Sequence, residues 1–169
     1  MSASKNLTLE ALGIPKNSEW GPVLWEILHG LVERIGKTTN PQILMDQRRE
    51  LILVLRFTEN IMPCALCRKH FHTWRTTHAL EKLPLGSKEF VESVRQWLFN
   101  LHNEVNLTRN ISSAITLEQL PERYGAVELK VKFEELSSYL NRALLFKQIE
   151  PEAVKKFRTH LNLLFALIR

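Results

Sequence analysis

Met62-Pro63-Cys64-Ala65-Leu66-Cys67-Arg68-Lys69-His70-Phe71 holds both cysteines of the chain, two residues apart and just behind a proline. Pro63 suits the first turn of a helix, where its missing N–H costs nothing. Cys64 and Cys67, at i and i+3, then share one face of that turn. A thiol at a helix start lies near unpaired backbone N–H groups and the positive end of the helix dipole, which favours the thiolate. Arg68 and Lys69 add positive charge. The segment therefore has the make-up of a redox-active dithiol. Three other readings stay open at this point. A structural bridge would close too small a loop to restrain the unfolded chain much. A zinc site has Cys64, Cys67, His70 and His72 at hand, although structural zinc commonly draws ligand pairs from separated segments. Two ordinary buried cysteines are the third.

Upstream, Ser18 ahead of Trp20-Gly21-Pro22 predicts a helix start with Pro22 near the first turn. Leu24, Ile27, Leu28, Leu31 and Ile35 recur at helical spacing, and Gly36 suits the stop. Trp25 and His29, at i and i+4, share a second stripe. Asn40-Pro41 caps a helix to about Asn60, with Ile43, Leu44, Leu51 and Leu55 on its inner side. The cysteine helix follows and reaches about Thr76. Residues 79–86 read as a loop broken by Pro84 and Gly86. A fourth helix opens at Ser87 and runs through Phe90, Val94, Trp97, Leu101 and Val105.

Beyond Asn110 a short helix is expected near Thr116–Leu120, then two amphipathic helices forming a hairpin. Their stripes are Leu129, Phe133, Leu136, Leu140 and Leu144, then Val154, Phe157, Leu161, Leu164 and Ile168, the second behind Pro151. No run alternates at period two, so the fold is expected to be all-α and a thioredoxin-like βαβ unit is disfavoured.

The chain's 169 residues fit one substantial core, and its net charge of +5 is scattered among acids with no dense basic run. Nucleic acid is not expected as a partner. No stretch has the apolar length to cross a bilayer, so no membrane role is expected either. Residues 1–6 lack an apolar signal core, which argues against signal-directed secretion.

Four pieces stand in one order: Trp20-Gly21-x-x-x-Trp25-x-x-x-His29, then Pro63-Cys64-x-x-Cys67-x-x-His70-Phe71, then Trp97, then His102-Asn103-Glu104-Val105-Asn106. Together they strongly resemble the Erv/ALR family of FAD-linked sulfhydryl oxidases, over roughly residues 18–107. The resemblance implies a four-helix bundle with a short fifth helix, holding FAD non-covalently, plus the C-terminal helical hairpin as an addition. The implied division is a polar leader (1–17), an FAD-binding oxidase bundle (18–112) and a C-terminal helical extension (113–169). By motif position, Trp20, Trp25, His29, Trp97, His102, Asn103, Val105 and Asn106 fall where the family contacts FAD, with His70 and Phe71 beside the cofactor after the dithiol. Cys64 is the implied exchange cysteine, and Cys67 the one facing the flavin.

Phe99 stands where many members carry a further cysteine. Leu107-Thr108-Arg109-Asn110-Ile111 replaces the family's basic segment, leaving Arg109 as its candidate substitute. No shuttle pair exists in the chain. The implied reaction is oxidation of a protein dithiol, with dioxygen as acceptor and hydrogen peroxide as product. A thioredoxin-like carrier is the expected dithiol, and a homodimer the expected assembly. The compact form looks like the short oxidases of large DNA viruses. That points to the cytoplasm, with the mitochondrial intermembrane space as the alternative. The zinc module and a non-catalytic helical binding module are the competing functions.

Overall fold

The structure is a computed structural model that describes residues 9–83 and 87–169. Leu7 of the leader and Pro84 and Gly86 of the expected loop lie outside those residues. Among the described residues eight α-helices follow one another: α1 Leu9–Leu12, α2 Asn17–Val32, α3 Pro41–Ile61, α4 Ala65–Thr77, α5 Ser87–Thr108, α6 Leu120–Tyr124, α7 Leu129–Leu145 and α8 Pro151–Leu167. Single 3-10 turns occur at Leu80–Lys82 and Leu117–Gln119, and no strand occurs among the described residues. The fold is all-helical. No described helix is long and apolar enough to cross a membrane.

Two helix starts differ from the sequence expectation. α2 begins at Asn17, where the Lys16 backbone N–H donates to the Glu19 carboxylate at 2.6 Å. Pro22 consequently lies inside the helix instead of its first turn. It lacks the N–H that would pair with the Ser18 carbonyl, and both residues are exposed, so water can take that place. Pro63 likewise precedes α4 without entering it. Proline disfavours the helical conformation for the residue before it, so α3 ends at Ile61 and Met62 is extended. Cys64, also extended, becomes the N-cap of α4. The expected loop over 79–86 also contains the 3-10 turn at Leu80–Lys82.

The start of α3 agrees with expectation. Asn40 Oδ1 accepts from the backbone N–H groups of Gln42 and Ile43, and Pro41 is the first helical residue.

α2 lies between α5 and α7. On one side, Arg95 grips the buried Glu33 carboxylate through two hydrogen bonds of 2.8 Å. On the other, α7 runs antiparallel, with Lys132 on Glu26 at 2.7 Å and Arg142 on Glu19 at 3.0 Å. A Cβ on Gly30 would come within 2.8 Å of the Leu129 side chain, so glycine permits this close approach. α8 packs along α3, where His160 meets the buried Glu50 at 2.7 Å and Gln47 donates to the Leu167 carbonyl at 2.8 Å. α7 and α8 touch through an edge-on Phe133–Phe165 pair and an Arg158–Asn141 hydrogen bond.

The predicted stripes are the ones that go inside. Leu129, Leu136, Leu140, Val154, Phe157, Leu161 and Leu164 belong to the same apolar core as Leu24, Ile27, Leu28, Leu51 and Leu55. Burying such side chains contributes about 1.5–3 kcal/mol each. The hairpin thus completes the core that holds α2 and α3 in place.

Candidate active site

Cys64 and Cys67 form a disulfide. The Cys64 sulfur occupies the cap position that a serine or aspartate oxygen usually fills, accepting from the Cys67 backbone N–H at 3.1 Å. α4 is held from three directions. Arg75 and His72 bond Glu59 of α3 at 2.9 and 3.2 Å. The Arg68 guanidinium donates to the carbonyls of Met62 and Gln148, the latter in the turn between α7 and α8. Its charge is therefore spent on carbonyl oxygens beside the dithiol, not on the sulfurs.

The disulfide forms part of the wall of a cavity of about 300 Å³. Trp20, Leu24, Trp25 and Leu28 of α2 line it, with Met62 and Val105 completing an apolar interior. At its edge stand Leu66, 77% exposed between the two cysteines, together with Thr108 and Arg109. α5 ends at this edge because Asn110 adopts φ 55, a left-handed conformation asparagine tolerates, and the Ile111 N–H closes back on the Asn106 carbonyl at 2.9 Å.

Of the residues singled out in the sequence, Trp20, Trp25, Cys64, Cys67, His70, Val105 and Arg109 all meet at this cavity. His70 also donates a 2.9 Å hydrogen bond from Nε2 to the Glu104 carboxylate. His29 and His102 sit one layer further in. Trp25 stacks on His102 with centroids 4.1 Å apart, and the His29 Nε2 lies 3.3 Å from His102 Nδ1. Phe71 and Trp97 pack edge to face elsewhere in the core, and the Trp97 indole donates to the His78 carbonyl at 2.8 Å. Asn103 and Asn106 are half-buried on α5 and do not line the cavity.

A family model described as Erv1 / Alr family matches residues 22–124, more than half of the chain. The chain belongs to the Erv1/Alr family. Comparison with curated proteins and with solved structures returned no match. Membership carries sulfhydryl oxidase function as a class, and members of the Erv1/Alr family are generally flavin-dependent. The match ends at Tyr124, whose ring stacks on His29 at 4.5 Å.

Two features of this Erv1/Alr chain test whether a flavin suits the cavity. The Trp20 indole N–H is buried without an acceptor. Leaving a buried donor unpaired is costly, and a ring bearing carbonyl or ring-nitrogen acceptors is suited to relieve it. Gly21 is buried, yet a Cβ there would meet nothing within 4 Å. Its backbone therefore borders open space on which a flat ring can lie. The volume and apolar walls accommodate a ring system, not a whole dinucleotide. The residues present fit the group.

Several site residues escaped the sequence reading. Asn17, at the first position of α2, places its side-chain amide 3.6 Å from the Cys64 sulfur and 3.5 Å from the Cys67 sulfur. Glu104 is the variable letter of the His102–Asn106 motif, and only the fold reveals His70 opposite it. Tyr124 lies beyond the motifs altogether.

Burial, and secondarily the neighbouring His102, lowers the His29 pKa from 6.5 to about 3; burial lowers that of His102 to about 4. Both rings are neutral at pH 7. In the unfolded chain each takes up a proton near pH 6.5, whereas the folded protein does so only near pH 4 and 3. Stability contributed by the neutral rings is therefore full above pH 6.5 and declines as pH falls toward the folded values. From His29 alone the loss between pH 7 and 5 is about 2 kcal/mol. Urea unfolding of His29→Asn is expected to show a correspondingly smaller loss over that interval than the wild type. Parallel losses would show that His29 is not held neutral.

Proposed function

We propose that the chain is an FAD-dependent sulfhydryl oxidase that forms disulfide bonds in a protein dithiol. The observation that carries this reading is the Cys64–Cys67 disulfide in the wall of an apolar, flat-ring-sized cavity. The substrate thiolate attacks the Cys64 sulfur; the Cys64–Cys67 bond breaks as a mixed disulfide forms, and the electron pair passes to Cys67. The second substrate thiol loses its proton to solvent and attacks the substrate's first sulfur, the one bonded to Cys64 in the mixed disulfide. Cys64 leaves as a thiolate, stabilised by the Cys67 N–H that already caps α4. The substrate gains a disulfide, and the Cys64–Cys67 pair is left reduced.

FAD, when bound, would supply a two-electron acceptor for that pair, with dioxygen as the final acceptor and hydrogen peroxide as the product. Trp20, Gly21, Trp25, His70 and Val105 would hold its ring, with His102 and His29 behind Trp25 and Arg109 at the edge for its phosphates, while Phe71, Trp97, Asn103 and Asn106 lie outside this cavity. Cys64 and Cys67 are the chain's two cysteines, so a carrier with its own dithiol, such as a thioredoxin-like protein, is the natural substrate. A homodimer would have to form on a face that α7 and α8 leave open, since these helices already cover α2 and α3.

The zinc reading asks Cys64, Cys67, His70 and His72 to converge. Here His70 turns to Glu104, His72 to Glu59, and the sulfurs to each other. The purified protein is expected to show a flavin absorption spectrum and to consume oxygen when given dithiothreitol. A colourless protein without oxygen uptake would overturn the proposal, and bound zinc in that sample would favour the metal module.

A further inference from the structure

The Asn17 side-chain amide faces the two redox sulfurs from another helix, across 47 and 50 residues of sequence. A bland role as a helix starter does not account for this orientation. Lys16 is the N-cap of α2, and Glu19 satisfies its backbone N–H. Among the described residues, the side chain of Asn17 bonds the two sulfurs alone. Those sulfurs do not share their donors equally. Cys64 receives both the Cys67 backbone N–H and Asn17, whereas Cys67 receives Asn17 as its one donor among the described residues. Arg68, adjacent in sequence, is occupied by two carbonyls.

A disulfide sulfur is a weak acceptor and a thiolate a strong one, so an N–H at this position bonds more tightly once charge develops. We propose that Asn17 is a further catalytic residue of disulfide exchange, its amide N–H holding the thiolate that forms on Cys67 in the first step and on Cys64 in the second. This rests on the oxidase reading above and adds a residue to that mechanism. The atom balance is that of the exchange already written: when the substrate sulfur bonds Cys64, the electron pair of the broken S–S bond arrives at Cys67, where Asn17 meets it. When the substrate disulfide closes, the pair arrives at Cys64, within reach of the same amide.

The test uses the full chain as wild type, Asn17→Ala and Asn17→Asp. Each protein is reduced anaerobically and pulsed with iodoacetamide across a pH series, and alkylation is read separately at Cys64 and Cys67 by peptide mass spectrometry. Asn17→Ala should raise the half-point at Cys67 by about one pH unit, leaving about tenfold less thiolate at neutral pH, with a smaller rise at Cys64. Asn17→Asp should raise it further, because it sets a negative charge beside the sulfurs.

Aspartate is favourable in the first turn of a helix, so this variant retains α2. A purely helix-starting role predicts that it behaves like the wild type. Coincident titrations for the three proteins, or an Asp variant matching the wild type, would overturn the role of Asn17. The alkylation series needs no turnover. Coincident curves from a wild type that oxidises dithiols therefore sink Asn17 alone, while a wild type without dithiol oxidation sinks the oxidase reading beneath it.

Discussion

Cys64→Ser is expected to lower turnover of dithiol substrates by about a thousandfold or more, while the helices stay folded. Serine is itself a preferred N-cap, so its hydroxyl can accept the Cys67 N–H in place of the sulfur and α4 keeps its start. The bridge it removes spans only two intervening residues and restrains little of the unfolded chain. What disappears is the electrophilic S–S bond, without which the substrate thiolate has nothing to attack.

Cys67→Ser should be equally inactive but differ in what it accumulates. Its remaining Cys64 thiol, at the cap of α4, exchanges with a single-cysteine carrier activated as a mixed disulfide with a small aromatic thiol; the small thiolate leaves, and the protein–protein disulfide is stable because neither partner keeps a second thiol to resolve it. Incubating each variant with such an activated single-cysteine thioredoxin-like protein and weighing the products separates the two roles. Trapped complex with Cys67→Ser and little with Cys64→Ser is the expected pattern. The opposite pattern would exchange the assignments of the two cysteines.

Helical periodicity placed α2, α5, α7 and α8, because each buries one apolar stripe, whereas α3 was placed largely by its Asn40-Pro41 cap and carries buried Gln47, Glu50, Thr58 and Glu59 on its inner face, and α4 by the segment around Pro63 and the cysteines. Leu24, Ile27, Leu28 and Leu31 are all buried, as are Leu136, Leu140, Phe157 and Leu161. A stripe says that a face is covered without saying by what. For the hairpin, pairing with itself, covering the bundle and joining another subunit were all compatible with the spacing; the close approach of Gly30 to Leu129 and the Glu50–His160 pair show α7 on α2 and α8 on α3.

The site was legible to the extent that its chemistry sat in recognisable order: the dithiol, the tryptophans and the His102–Asn106 segment. The less legible contacts join residues whose local sequence explains them otherwise. Asn17, between Lys16 and Ser18, looks like a solvated helix start, and Glu104 like a surface acid on an exposed turn. Cysteine is not a usual cap, so Pro63 drew the expected start of α4 ahead of Cys64. Only the packing of α2 and α5 against α4 gives these side chains their partners.

Ending the chain after Ser113 is expected to abolish the cooperative fold, leaving protein that aggregates or loses its native helix content at 25 °C. The deletion removes Leu129, Leu136, Leu140, Val154, Phe157, Leu161 and Leu164 from the core and uncovers the apolar faces of α2 and α3 beneath them. At about 1.5–3 kcal/mol for each large side chain, the gross burial lost is of the same order as the roughly 5–15 kcal/mol by which a domain of this kind is stable, and the apolar faces of α2 and α3 are left in water. It also removes Gln148, whose carbonyl receives Arg68 beside the dithiol, and Arg142, whose guanidinium holds Glu19 near the start of α2.

A point variant supplies a graded version of the same test. Phe157 is fully buried in α8, and Phe157→Ala should cost about 3–5 kcal/mol in urea unfolding monitored by circular dichroism. An independent appendage would behave otherwise: the truncated chain would remain soluble and unfold cooperatively, and Phe157→Ala would leave a separate transition of the remaining bundle where it was. A single transition shifted as a whole is the expected result, because the helices that carry the dithiol and the helices of the hairpin share one core.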